Sequence, residues 1–241
     1  MSSVPLVLLP GLVCDQAVWP AQVAGLSDIA ASQVVDYGTL DSLGGMAHKV
    51  LAEAPERFAL AAHSMGGRVA LEVVRQAPER VTALALLDTG YQARDRGMQG
   101  TAERAQRQSL LKVARDSGMR AMGGIWVQGM VHRDRLDDTA LIEDILEMIA
   151  RKTPIEFAAQ IKALLDRPDG TPVLGEIRCP TLVLCGRQDS WSPLARHEQM
   201  AALIPGSRLV AVEDCGHMST MERPEAVAAA LRDWLTGGAA A

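Results

Sequence analysis

Apolar residues fall in short runs along this chain, near 4–9, 32–36, 58–62, 82–87, 181–185 and 208–212. The runs are rich in Val, Leu or Ala and bounded by Gly, Pro, Asp or Ser, the pattern of a strand buried in a sheet. Between most of them the apolar positions return every three or four residues, near 18–25, 43–54, 67–76, 194–203 and 224–235. That is the spacing of an amphipathic helix. Strands that alternate with helices build βαβ units, so the predicted class is α/β, with about six mostly parallel strands and helices on both faces. Right-handed crossovers then collect the loops that follow the strands along one sheet edge. The stretch 91–170 breaks the rhythm: it offers no strand pattern, but helical spacing over Thr101 to Asp116, Asp138 to Ile149 and Pro154 to Leu165. The predicted division is a core of 1–90 and 171–241 interrupted by a helical cap of 91–170. No internal repeat is visible, and the tail from Gly237 to Ala241 is expected to be disordered.

The junction between the run at 58–62 and the helix from Gly67 to Gln76 holds Ala62-His63-Ser64-Met65-Gly66. A strand that turns sharply into a helix leaves almost no room for side chains two residues before and after the turn. Ala62 and Gly66 meet that need, giving a small-x-Ser-x-Gly form of the nucleophile elbow. Such a turn raises the Ser64 hydroxyl above the sheet and aims the Met65 amide into the same space, as acyl transfer requires. Ser64 as a simple helix N-cap is the plainer alternative. A nucleophilic serine needs a base, and the base an orienting acid. Both follow in order: Asp189 after the strand at 181–185, and His217 after the strand at 208–212, with Gly216 expected to free the backbone before it. Asp88, at the end of the run 82–87, is the rival acid; Asp214 is too near His217 in sequence to face its ring, and Asp189 is favoured. His63 is expected to point away from Ser64, and His48 and His197 to lie on solvated helix faces. His132 with Asp134 offers too few ligands for a metal.

On these residues, the elbow His63-Ser64-Met65-Gly66-Gly67, the Gly186-Arg187-Gln188-Asp189 turn and the Gly216-His217 loop, the chain resembles the α/β-hydrolases over nearly its whole length. The family includes lipases, esterases and carbon–carbon hydrolases. The resemblance implies an α/β-hydrolase fold with a helical cap over the site, and an N-terminal antiparallel hairpin is expected to be absent. It implies a catalytic Ser64, His217 and Asp189, with the Met65 and Leu12 amides as oxyanion donors. Leu12 takes that role from its place in Leu8-Leu9-Pro10-Gly11-Leu12, where Pro10 stands instead of the usual histidine. Gly11 and Trp126 are expected to contact substrate. Met119, Met122, Met130 and Met148, with Trp126, could line an acyl pocket, because Met adapts to varied apolar shapes, or could simply pack the cap.

Composition narrows the rest. The 241 residues carry 48% hydrophobic and 22% charged side chains and a net charge of −5, ordinary for a soluble globular protein. With no Lys/Arg cluster, neither nucleic acid nor an anionic membrane is an expected partner. The apolar N-terminus lacks a basic n-region and is interrupted by Pro5, Pro10 and Gly11, so it reads as a first core strand. The four cysteines have no metal spacing and read as reduced thiols in a cytoplasmic enzyme. The expected activity is that of a serine esterase on a small apolar acyl substrate, without metal or organic cofactor, in a monomer or homodimer. The alternatives are a carbon–carbon hydrolase, enol-lactonase or lyase on the same fold, or a binding protein without turnover. A carbon–carbon hydrolase would gain from a pocket arginine, for which Arg68, Arg94 and Arg120 are candidates.

Overall fold

The computed structural model describes residues 3–237; of the tail expected to be disordered, 238–241 lie outside the described residues. Six strands form one sheet: β1 Val4–Leu9, β2 Ala30–Val34, β3 Phe58–His63, β4 Val81–Leu87, β5 Thr181–Gly186 and β6 Arg208–Val212. Their order is β2-β1-β3-β4-β5-β6, and every pairing is parallel. β3 and β5 are buried at every position, as interior strands covered on both faces must be. The edge strand β2 starts two residues before the predicted run because its ladder opens with Val4 opposite Ala30. With one neighbour only, it exposes Ala31 and Gln33, and the apolar signal there is diluted.

Helices α1 Pro20–Leu26 and α11 Pro224–Leu235 pack together on one side of the sheet. On the other side α2 Leu43–Glu53 packs on α3 Met65–Gln76, with α8 Thr171–Leu174 and α9 Leu194–Leu203 beyond it. Between β4 and β5 the only regular elements among the described residues are helices: α4 Met98–Ser117, α5 Met119–Trp126, α6 Thr139–Ala150 and α7 Pro154–Leu165 precede α8. α10 Ser219–Glu222 is a single turn after β6. α7 begins with a full capping box between Thr153 and Glu156, and its stripe Phe157, Ile161, Leu164 and Leu165 is buried. Each such side chain contributes about 1.5–3 kcal/mol relative to exposure, so α7 is held by its burial rather than by helix propensity.

The chain leaves β1 toward β2, then returns to place β3 on the other side of β1. The loops after β1 and β3 therefore part at a topological switch point, where open α/β sheets form their binding crevices. Leu12 follows β1 and Ser64 follows β3. No described helix is long and apolar enough to cross a membrane.

Candidate active site

Four residues with a Cβ have positive φ among the described residues: Val13, Ser64, Asp88 and Asp214. They follow β1, β3, β4 and β6 in turn, so the backbone strain of the molecule gathers at one sheet edge. Each such residue costs on the order of 1–3 kcal/mol and persists only where its surroundings leave no alternative. At Ser64, with φ 53° and ψ −117°, those surroundings are visible. Its N–H donates to the Leu87 carbonyl at 2.9 Å, and its carbonyl accepts the Thr89 hydroxyl at 2.6 Å. Gly66 is needed because a Cβ there would stand 2.4 Å from the Leu9 carbonyl oxygen.

Ser64 Oγ lies 2.8 Å from His217 Nε2, and His217 Nδ1 lies 2.7 Å from Asp189 Oδ2. With Nδ1–H donating to Asp189, Nε2 is left to accept the serine proton. The second Asp189 oxygen accepts the N–H groups of Trp191 and Ser192, both at 2.8 Å, which fixes the carboxylate. Burial disfavours a charged His217, but the Asp189 charge and hydrogen bond outweigh it and hold the His217 pKa above the ordinary 6.5. The rival, Asp88, takes the Gly186 N–H at 2.9 Å and the Ser219 hydroxyl. Burial, then the Asp189 charge, push its carboxyl above the ordinary carboxylate range. His63 turns away from Ser64 and donates from Nε2 to the His217 carbonyl at 2.8 Å. Burial lowers its pKa to about 4, which keeps it neutral.

Two expectations change. His197 is not on a solvated face: it is wholly buried, and its Nε2 accepts the Thr89 N–H at 2.9 Å. Polar neighbours concealed it, because α9 turns one face onto β5 and β6. Gly216 does not adopt a left-handed φ; it is small because a Cβ would stand 2.6 Å from His132 N and Val131 C.

A cavity of about 700 Å³ opens over Ser64 and His217. Leu12 and Met65 line it, and Met65, as the first residue of α3, has an amide without a partner inside the helix. Gly11 does not line the cavity wall: a Cβ there would stand 3.0 Å from the His63 ring and 3.2 Å from Ser64 Cβ, so glycine allows the close approach of the two loops. Trp126 and Met130 line the cavity, whereas Met119, Met122 and Met148 are buried where α5 meets α6. The remaining wall is mixed. Leu110, Ile125 and Leu164 face the space together with Arg68, Glu103, Arg107, Arg167 and Arg196. Of the three arginines singled out from the sequence, only Arg68 is there; Arg94 donates to the Leu165 and Gly100 carbonyls, and Arg120 pairs with Glu143.

The helical segment is tied to the site's loops by groups that the sequence reading missed. Gln160 of α7, 1% exposed, accepts the Val13 N–H at 2.8 Å. The Met130 carbonyl accepts the His217 N–H at 2.8 Å. Buried Glu222 accepts N–H groups from Gly216, Met218 and His132. Gln160 was detectable: it interrupts the apolar stripe Phe157, Ile161, Leu164, where a polar residue asks for a partner. Glu222 gave no comparable signal.

A parallel sheet with this elbow and these strand-end loops defines an α/β-hydrolase. The sequence model of the Alpha/beta hydrolase family matches residues 6–230, and the chain belongs to that family. Among its relatives is a pimeloyl-[acyl-carrier protein] methyl ester esterase of Nitrosomonas europaea, 27% identical over 230 residues and covering 91% of each protein. A 2-hydroxy-6-oxononadienedioate/2-hydroxy-6-oxononatrienedioate hydrolase of Cupriavidus pinatubonensis is 27% identical over 220 residues, 84% of this chain and 71% of that protein. Among solved structures, a malate-bound thermophilic esterase from Thermogutta terrifontis superposes with a TM-score of 0.85 at 28% identity, over 98% of this chain and 91% of that one.

Proposed function

We propose that this protein is a serine hydrolase that cleaves a carboxylic ester through an acyl-enzyme. The observation that carries this reading is the Ser64–His217–Asp189 relay, at 2.8 and 2.7 Å, opening into a cavity over the elbow. Ser64 Oγ attacks the acyl carbon while His217 Nε2 takes its proton; Asp189 steadies the imidazolium. The carbonyl π electrons move to oxygen, where the Met65 and Leu12 amides stabilise the charge, a contribution of about 2.7–4 kcal/mol per donor. Collapse expels the alcohol, which receives the proton from His217. Water then repeats the sequence on the acyl-enzyme and releases the acid. The helical segment between β4 and β5 serves as the cap, its Leu110, Ile125, Trp126 and Leu164 forming an apolar wall for the acyl chain.

Hydrolysis of p-nitrophenyl esters from acetate to decanoate, wild type beside Ser64→Ala, tests the reading. Turnover that falls by at least roughly 10⁴-fold in the variant is the expected result. Full activity without the hydroxyl would sink it. The arginines in the cavity, together with the dienedioate hydrolase relative, favour a second reaction type on the same residues. Serine-dependent cleavage of such a dienedioate, with no ester turned over, would select it.

A further inference from the structure

Arg68 stands one turn after Ser64 on α3, and Arg196 stands on α9; both line the cavity. Arg107 and Arg167, also in the wall, share the Glu103 carboxylate, with Arg167 held by two bonds of 2.7 and 2.8 Å. Arg68 and Arg196 have no such acid among the described residues. Arg68 donates only to the Gln92 carbonyl at 2.8 Å, and Arg196 to the Trp191 carbonyl at 3.2 Å. Even so, the two side chains converge. From the point where a Cβ on Gly90 would stand, Arg68 Nη2 is 2.6 Å away and Arg196 Nη1 is 3.5 Å away. Like charges gathered at one point of a crevice without a counter-charge repel one another unless an anion joins them.

Burial, then the neighbouring Arg167 and Arg196, lower the Arg68 pKa to about 9, and the charge of Glu103 offsets this only in part. Trp126 adds a buried indole N–H without a hydrogen-bond partner in the same wall.

Building on the ester-hydrolase reading, we infer that Arg68 and Arg196 form an anion subsite that binds the free carboxylate of a dicarboxylic acid monoester whose ester carbonyl lies at Ser64. The guanidinium fork matches a planar carboxylate. One helical turn, about 5.4 Å, separates the backbone of Arg68 from that of the serine along α3, so both face the same cavity. A Cβ on Gly90 would press on the Arg68 guanidinium at 2.6 Å, so glycine at that position leaves the tip of Arg68 where it is.

The test compares kcat/KM for the monoethyl esters of succinate, glutarate and adipate with ethyl butyrate and ethyl pentanoate. Wild type, Arg68→Gln, Arg196→Gln and Arg68→Lys are measured. The expected result is a preference of at least about tenfold for a monoester, lost largely through KM in either glutamine variant and partly retained in Arg68→Lys. Independently, thermal unfolding of Ser64→Ala is followed with glutarate, butyramide or inorganic phosphate, so that binding is read without catalysis. Protection by glutarate is expected. Neutral esters cleaved by Ser64 without preference for monoesters would overturn the subsite and leave the hydrolase reading standing. Glutarate protection that needs Arg68 and Arg196, with no ester turned over, would keep the subsite and remove the ester reading. Protection by phosphate alone would overturn the carboxylate assignment.

Discussion

Ser64 carries a Cβ at a φ of 53°, a conformation that glycine adopts without penalty. Substitution there separates strain from chemistry. Both Ser64→Ala and Ser64→Gly remove the hydroxyl, but only glycine removes the strain. Glycine elsewhere costs about 0.5–1 kcal/mol relative to alanine; here that order is expected to reverse, giving Ser64→Gly the higher Tm by a few degrees. Calorimetry of the two variants reads this directly, and a Tm for Ser64→Gly below that of Ser64→Ala would contradict it. His217 supplies the pH dependence. Only the neutral imidazole accepts the serine proton, so kcat/KM falls as pH drops through its pKa, held above 6.5 chiefly by Asp189 against burial. Asp189→Asn removes that charge and leaves burial, so the acid limb moves to lower pH while kcat falls by on the order of 10⁴. An acid limb that stays in place would point to another titrating group. The relay was legible because Ser64, Asp189 and His217 each lie in the loop after a recognisable strand. The preference for Asp189 over Asp88 was harder, since both follow strands, and only the direction of the His217 ring separates them.

Elements were read well where the apolar pattern is unbroken, whatever their burial: β6 is mostly half-buried yet falls on its predicted run. β3, β5 and α11 lie close to their apolar patterns, whereas β2 slid by two residues and α5, short and rich in Met and Gly, was not anticipated as a helix. Most contacts between elements left no trace in the sequence; the most consequential, which joins α7 to the loop after β1, shows there only as one polar residue within an apolar stripe. Gln160 accepts the N–H of Val13, a β-branched residue at φ 54°, immediately after Leu12. Replacing Gln160 by Leu leaves that N–H buried without a partner, a loss of about 1–3 kcal/mol, and frees the loop to relax from its strained conformation. The Leu12 amide then loses its aim. In the proposed mechanism that donor acts on developing charge, so kcat is expected to fall roughly 10–100-fold with KM little changed. Steady-state kinetics of Gln160→Leu beside Gln160→Glu, which keeps an acceptor, checks this. Equal losses in both variants would assign Gln160 a packing role alone.

The molecule as a whole is acidic, with a net charge of −5, yet the cavity over Ser64 gathers Arg68, Arg107, Arg167 and Arg196 against the single carboxylate of Glu103. Charge of opposite sign is thus concentrated within a low-dielectric crevice, where field lines focus and an anion is drawn in despite the overall repulsion. Arg107 and Arg167 share the one Glu103 charge, which leaves a single positive charge there, so most of the attraction comes from Arg68 and Arg196, both half-buried. Their reach depends on screening. The Debye length shrinks from roughly 20–30 Å near 0.02 M salt to about 4 Å at 0.5 M. KM for a glutarate monoester is therefore expected to rise several-fold across that range, while KM for ethyl butyrate stays level. Arg68→Gln and Arg196→Gln should each flatten the response of the charged ester. A salt dependence shared equally by charged and neutral esters would trace instead to the protein's own conformation, because screening cannot distinguish substrates unless one of them carries the charge being screened.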